Sequence, residues 1–145
     1  MKKIRVGIIG CGKIFDKHLK ALYSNKNKNF FSLQAVCDNN IKKLNKVKDQ
    51  SVKKFNNFDN FFKENQNLDL VTICTPSGLH YSHCNLSAKY NLNALVEKPL
   101  ALDFNGSKKI INNFKKKKLN LFIVKQNRFN KTLIALKTII DKKLL

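Results

Sequence analysis

Arginine is almost missing from this strongly basic chain. Of 29 basic residues only Arg5 and Arg128 are arginines, and nine acidic residues leave a formal net charge of +20 with a pI near 10.0. That charge favours polyanions electrostatically. Surfaces that read bases or clamp phosphates lean on the forked guanidinium, however, and lysine does not reproduce it. The lysines are scattered apart from the run Lys115–Lys118, and asparagine is abundant throughout. The bias reads as compositional drift. Nucleic-acid binding is carried only as a minor alternative that rests on charge.

Cysteine pairs at metal or redox spacing are missing too. Cys11, Cys37, Cys74 and Cys84 lie far apart, and no Cys-x-x-Cys occurs. Free thiols in a reducing compartment are the expectation, not a disulfide frame. His80, His83 and Cys84 fall on one short predicted helix without a fourth ligand at workable spacing, so no metal site is expected. No apolar run reaches the length of a bilayer span. The N-terminus is basic and then apolar, like a weak signal peptide. It breaks into Gly10-Cys11-Gly12-Lys13, though, and lacks a small-residue cleavage pattern. A cytoplasmic protein without membrane association is expected.

What is present is a chain of 145 residues, 43% hydrophobic, enough for one domain with a real core. Apolar runs alternate with helical patterns, without internal repeat or low-complexity linker. Strands are expected at 4–9, 33–37, 52–55, 68–74, 94–96 and 121–124. Helices are expected at 16–23, 41–47, 80–90 and 132–140. Two more should follow caps at Asp59 and Asp103. The run Lys115–Lys118 would close the latter helix at its C-terminal end, where the dipole favours cations. Six strand–helix alternations predict an α/β fold: a doubly wound parallel sheet between two helical layers, in the Rossmann arrangement.

Three strand ends carry chemistry. Gly10-Cys11-Gly12-Lys13-Ile14-Phe15 links the first strand to the first helix. Gly10 permits the tight turn, Gly12 lets a pyrophosphate approach the backbone, and the helix N-terminus supplies N–H groups. The third glycine of the usual pattern is replaced by Phe15, which implies a wider helix–strand contact or an aromatic lid on the cofactor. Asp38 ends the second strand, where a carboxylate can accept from ribose hydroxyls and repel a 2′-phosphate. NAD is therefore favoured over NADP. The alternative for Asp38 is a helix N-cap. Glu97-Lys98-Pro99 follows the apolar run Ala94-Leu95-Val96. It places a charged amine at the rim where open sheets bind ligands, and the proline turns the chain off the strand. The alternative is one more surface lysine.

Taken in order with Thr75-Pro76-Ser77-Gly78-Leu79-His80, these motifs give the chain a resemblance to the N-terminal domain of the Gfo/Idh/MocA oxidoreductases. Val124-Lys125-Gln126-Asn127-Arg128-Phe129 is similar to the members that oxidise UDP-N-acetyl-hexosaminuronic acids at C3. The resemblance implies that Thr75, Pro76, Ser77 and His80 line the nicotinamide half of a cofactor cleft. It implies that Glu97 and Lys98 contact the nicotinamide ribose, and that Lys98 reaches the hydroxyl being oxidised. Gln126, Asn127 and Arg128 would border cofactor and substrate. The alternative for Arg128 is a helix cap or a carboxylate pair. His18, on the first helix, is expected to face solvent.

The resemblance also implies a second α/β domain that covers the cleft and supplies a histidine. Residues 1–124 are read as the dinucleotide-binding domain, and 125–145 as the truncated start of the second. No histidine follows His83, so that acid–base partner is expected from elsewhere. Leu133, Leu136, Ile139, Ile140, Leu144 and Leu145 make an apolar stripe. Burying each aliphatic side chain is worth roughly 1.5–3 kcal/mol. The stripe is expected to dock on the missing domain, another chain or the sheet itself. The activity implied is NAD-dependent oxidation of a sugar or nucleotide sugar. The alternative is a non-catalytic dinucleotide-binding remnant.

Overall fold

The computed structural model describes residues 2–144. Strands β1 (Ile4–Ile9), β2 (Phe31–Cys37), β3 (Lys53–Phe55), β4 (Leu70–Ile73), β5 (Asn93–Val96) and β6 (Leu121–Ile123) form one sheet. Helices α1 (Phe15–Tyr23), α2 (Ile41–Leu44), α3 (Phe58–Glu64), α4 (His80–Lys89) and α5 (Phe104–Lys116) connect them, and α6 (Lys131–Asp141) follows β6. Single turns of 3-10 helix occur at Ser77–Leu79 and Gln126–Phe129. The strand order is β3-β2-β1-β4-β5-β6 and every pairing is parallel. This is the Rossmann order expected from the alternation. Among the described residues no helix is long and apolar enough to cross a membrane.

The sheet separates two cores. Val6 and Ile8 of β1 pack with Phe15, Leu33, Val36, Leu44 and Val47 on one face. Ile9 packs with Ala35, Cys37, Phe61, Phe62, Ile73 and Phe114 on the other. Strict alternation along β2 would put Leu33 on the face of Ala35. The β1–β2 register instead skips Gln34 between Val6↔Leu33 and Gly7↔Ala35. That bulge turns Leu33 to the side of Val36.

Local chemistry explains most boundary differences. The second helix is shorter than 41–47 because the chain tightens after Leu44, with Lys46 and Val47 N–H groups donating three residues back. The third helix is capped by Asn57, whose side chain accepts the Asn60 N–H at 3.0 Å. Asp59 lies inside its first turn instead of capping it. Asp103 caps α5 as expected, accepting the Gly106 N–H at 2.7 Å. Lys115 and Lys116 lie in the last turn of α5, with Lys117 and Lys118 just beyond. All four cysteines are buried free thiols.

Helix α6 does not dock on the sheet. Leu133, Leu136, Ile139, Ile140 and Leu144 are all exposed, so that expected alternative is replaced by an open face. Leu145 lies outside the described residues.

Candidate functional site

The order reverses between β1 and β4, and the C-terminal ends of these strands open a crevice there. Gly10 turns the chain off β1 at φ +88°. A Cβ on it would sit 2.6 Å from backbone atoms of Cys74 and Thr75. Only glycine accepts both constraints. Gly12 is different: a Cβ there would meet no atom of the described residues within 4 Å. Nothing inside the chain requires a glycine at this position. The missing side chain clears space that opens outward, into a cavity of about 620 Å³ lined by Cys11, Gly12, Lys13, Asp16, Lys43 and Lys46.

Helix α1 begins directly beyond, with Ile14 at its N-cap and no side chain bonded to its first N–H groups. Those donors and the helix dipole are available to an anion. Cleared backbone, free donors and flanking lysines fit a diphosphate. Phe15 takes no part as a lid: its side chain is wholly buried in the core beneath α1. The aromatic fills the helix–sheet contact where a third glycine would close it.

Asp38 is buried at the end of β2, and its carboxylate braces the turn. Oδ2 accepts the Cys11 N–H at 2.8 Å, Oδ1 accepts the Asn40 N–H at 2.8 Å, and Lys43 Nζ lies 3.7 Å away. Asn40, not Asp38, caps α2. A carboxylate has about four acceptor sites, so both oxygens retain capacity for further donors. Burial and the Asp38 charge push the Cys11 thiol up to about 12, which keeps it protonated.

The β4 and β5 ends form the other wall. Thr75 is buried, Ser77 is half-buried, and Pro76 and Lys98 are exposed. The Lys98–Pro99 peptide is cis. His80 leaves the surface altogether, being 1% exposed. Its Nδ1 lies 2.6 Å from the Pro99 carbonyl and its Nε2 2.8 Å from the Thr75 carbonyl. It stands behind the cleft wall instead of lining the cleft. His83 Nδ1 shares a hydrogen bond of 2.9 Å with Thr75 Oγ1. Burial first, and then the His80 charge, pull the His83 pKa down to about 4.

Glu97 is also buried, and its Oε1 lies 2.7 Å from His18 Nε2. The solvent-facing expectation for His18 is corrected: its side chain is 15% exposed and closes on the β5 end. Helical spacing contained a signal for this, because His18 shares the inward face of α1 with Phe15, Leu19 and Leu22. His18 and Glu97 line a cavity of about 230 Å³ with Ile14, Val124 and Gln126. Lys98, Lys125, Gln126 and Asn127 line a neighbouring one of about 250 Å³. The side chains of Lys98 and Arg128 make no hydrogen bond or ion pair among the described residues. The expected helix-cap or carboxylate role for Arg128 is therefore not observed.

Residues 4–125 match the model of the Gfo/Idh/MocA oxidoreductase family with its NAD-binding Rossmann fold. The chain belongs to that family. It is 30% identical to the WlbA dehydrogenase of Bordetella pertussis, solved with NADH and UDP-GlcNAcA, with a TM-score of 0.90 over 97% of this chain and 42% of that one. The WlbA dehydrogenase of Chromobacterium violaceum, solved with the same two ligands, is 30% identical with a TM-score of 0.91 over 99% of this chain and 41% of that one. D-glucoside 3-dehydrogenase of Escherichia coli K12 is 28% identical over 104 residues, 68% of this chain and 28% of that protein. The chain thus spans less than half the length of these relatives. As a Gfo/Idh/MocA Rossmann domain it is an NAD-binding domain of oxidoreductase type.

Proposed function

We propose that the chain is the cofactor-binding part of an NAD-dependent dehydrogenase acting on a sugar or nucleotide-sugar carbinol. Oxidation of a UDP-N-acetyl-hexosaminuronate at C3 is the narrower reading. The observation that carries it is Lys98: an unpaired amine on a turn held by buried neighbours, at the same strand-end rim as the open Gly12 turn. Gly12 and the free N–H groups of α1 would hold the diphosphate, with Lys13, Ile14 and Asp38 toward the adenosine side. Thr75, Pro76, Ser77, Glu97 and Gln126 would border the nicotinamide half. Bound NAD supplies the hydride acceptor. Lys98 would hold its positive charge beside the substrate hydroxyl, favouring alkoxide character as the carbinol hydrogen leaves. Asn127 and Arg128 would orient the sugar, and the Lys98–Lys125 pair favours an anionic one.

Residues 125–145 would begin the second domain of the family, and the exposed face of α6 is where that domain, or a partner chain, would rest. A cytoplasmic location fits the free thiols. The alternative reading is a dinucleotide-binding module without turnover of its own, which the open Gly12 turn and the free α1 donors support equally.

Fluorescence titration of the folded chain with NADH tests the reading. Saturable binding that Gly12→Val abolishes is expected, with NADPH bound more weakly. An absence of saturable binding would reject it. Reduction of NAD with UDP-GlcNAcA, lost in Lys98→Met, would separate enzyme from module.

A further inference from the structure

Helix α1 brings two kinds of donor to the cleft. Its first N–H groups have no side-chain cap, and about one turn further on His18 turns its ring toward the end of β5. His18 Nε2 lies 2.7 Å from Glu97 Oε1. A carboxylate only accepts, so Nε2 is a protonated nitrogen of the ring, and the contact needs no particular charge on the imidazole. It is the single hydrogen bond to the Glu97 side chain among the described residues.

The two Glu97 oxygens are therefore not equivalent. Oε1 is taken by His18. Oε2 has no partner, yet among the described residues no buried side-chain oxygen is left without one, so Oε2 keeps access to solvent. The opening it meets is the cavity of about 230 Å³ that Glu97 lines with His18, Ile14 and Gln126. Two amines are close in the fold or the chain, Lys17 at the rim of that cavity and Lys98 next in sequence. Neither pairs with Glu97 among the described residues. An open carboxylate oxygen takes a donor, such as a sugar hydroxyl, and repels a phosphate. A glutamate arm has three rotatable bonds, and holding one oxygen fixes where the other points.

We propose that His18 is the positioning residue for the nicotinamide half of the cofactor: by taking Oε1 it sets Glu97 Oε2 to accept a ribose hydroxyl. This deepens the proposed function and rests on it. The role divides α1 in two. Its N-terminal N–H groups serve the diphosphate, and His18 serves the far ribose through Glu97.

Calorimetric titration of the folded chain with NADH and with ADP tests the division. ADP carries the adenosine and the diphosphate and lacks the nicotinamide ribose. In His18→Ala the Kd for NADH is expected to rise about tenfold, and that for ADP to stay within about twofold. His18→Gln, whose amide N–H can reach the same oxygen, should restore most of the NADH affinity. A histidine that merely tethered α1 would behave differently: its loss would loosen the N–H groups under the diphosphate and weaken ADP as much as NADH. Equal losses, an unchanged NADH affinity, or no recovery in His18→Gln would each overturn the proposal. If His18→Ala fails to fold, His18→Leu, which keeps bulk and lacks a donor, serves for the same comparison. An unaltered chain that failed to bind NADH would reject the proposed function, and this role with it. Binding by the unaltered chain with equal losses in the variant would reject the positioning role alone.

Discussion

At the Gly10–Gly12 turn the chain works by leaving side chains out, whereas around Glu97–Pro99 it works by packing side chains against a loop. The first region is shaped by backbone: a positive φ at Gly10, cleared space at Gly12, and an uncapped helix start. The second depends on buried polar contacts. His18 reaches Glu97 from α1, and His80 reaches the Pro99 and Thr75 carbonyls from α4. A diphosphate is bound well by backbone donors and open space. A reacting hydroxyl needs a charge at a defined point, and a flexible lysine gains that only from a rigid base.

The largest effect is expected at the first turn. Gly10→Ala is expected to cost about 3 kcal/mol or more, since φ strain and a backbone clash combine. Gly12→Ala, two residues on, should change stability by only about 0.5 kcal/mol. It should nevertheless weaken NADH binding at least tenfold. Urea denaturation of both variants with NADH titration checks this. Comparable destabilisation by the two would show that Gly12 serves packing and not a ligand.

The second region should respond to pH. The His83 pKa lies near 4 in the folded chain, below the ordinary value of about 6.5. Between these values the unfolded chain binds more protons, so stability rises with pH. The contribution is complete above about pH 6.5 and is lost as pH falls toward 4, on the order of 3 kcal/mol in all. Melting curves from pH 7 to 4 should show the loss, and His83→Gln should flatten that slope. A variant with an unchanged slope would assign the acid sensitivity elsewhere.

A smaller effect is expected for His18→Ala, which leaves the buried Glu97 carboxylate without its partner. About 1–3 kcal/mol should be lost. His18→Gln, able to donate to the same oxygen, should recover part of it.

The smallest lies away from the cleft. The Arg5 guanidinium holds Asp69 through two bonds of 3.0 and 2.9 Å, and with the Arg5 backbone N–H at 2.8 Å it draws the Asp69 carboxyl down to about 2. The pair is about one-third exposed, and a double-mutant cycle should give about 0.2–1 kcal/mol. A larger coupling would mean that the far end of the sheet matters as much as the histidine contacts.

Much of the first region was legible because its signals are local. A glycine pair after an apolar run, a carboxylate at the next strand end and a proline after Lys98 constrain the backbone where they stand. The element order followed from hydrophobic periodicity, and with it the parallel sheet. The second region was legible in position but not in role. His80 lies in the expected motif yet turns inward, because its ring finds two carbonyls behind the wall. The outward reading of His18 missed that its neighbours on the same helical face are core residues. Phe15 marked a broken glycine pattern but not the direction in which its ring would point.

The sequence by itself therefore determined the alternating architecture, the open glycine turn and the rim that carries Lys98. Each depends on periodicity or on the conformational freedom of a few adjacent residues. Only the tertiary structure decided which side chains meet. His18 and Glu97 are 79 residues apart, and Cys11 and Asp38 are 27 apart. Such pairs exist because the order β3-β2-β1-β4-β5-β6 brings distant strand ends together, and each hydrogen bond then depends on angstrom-scale placement across the sheet.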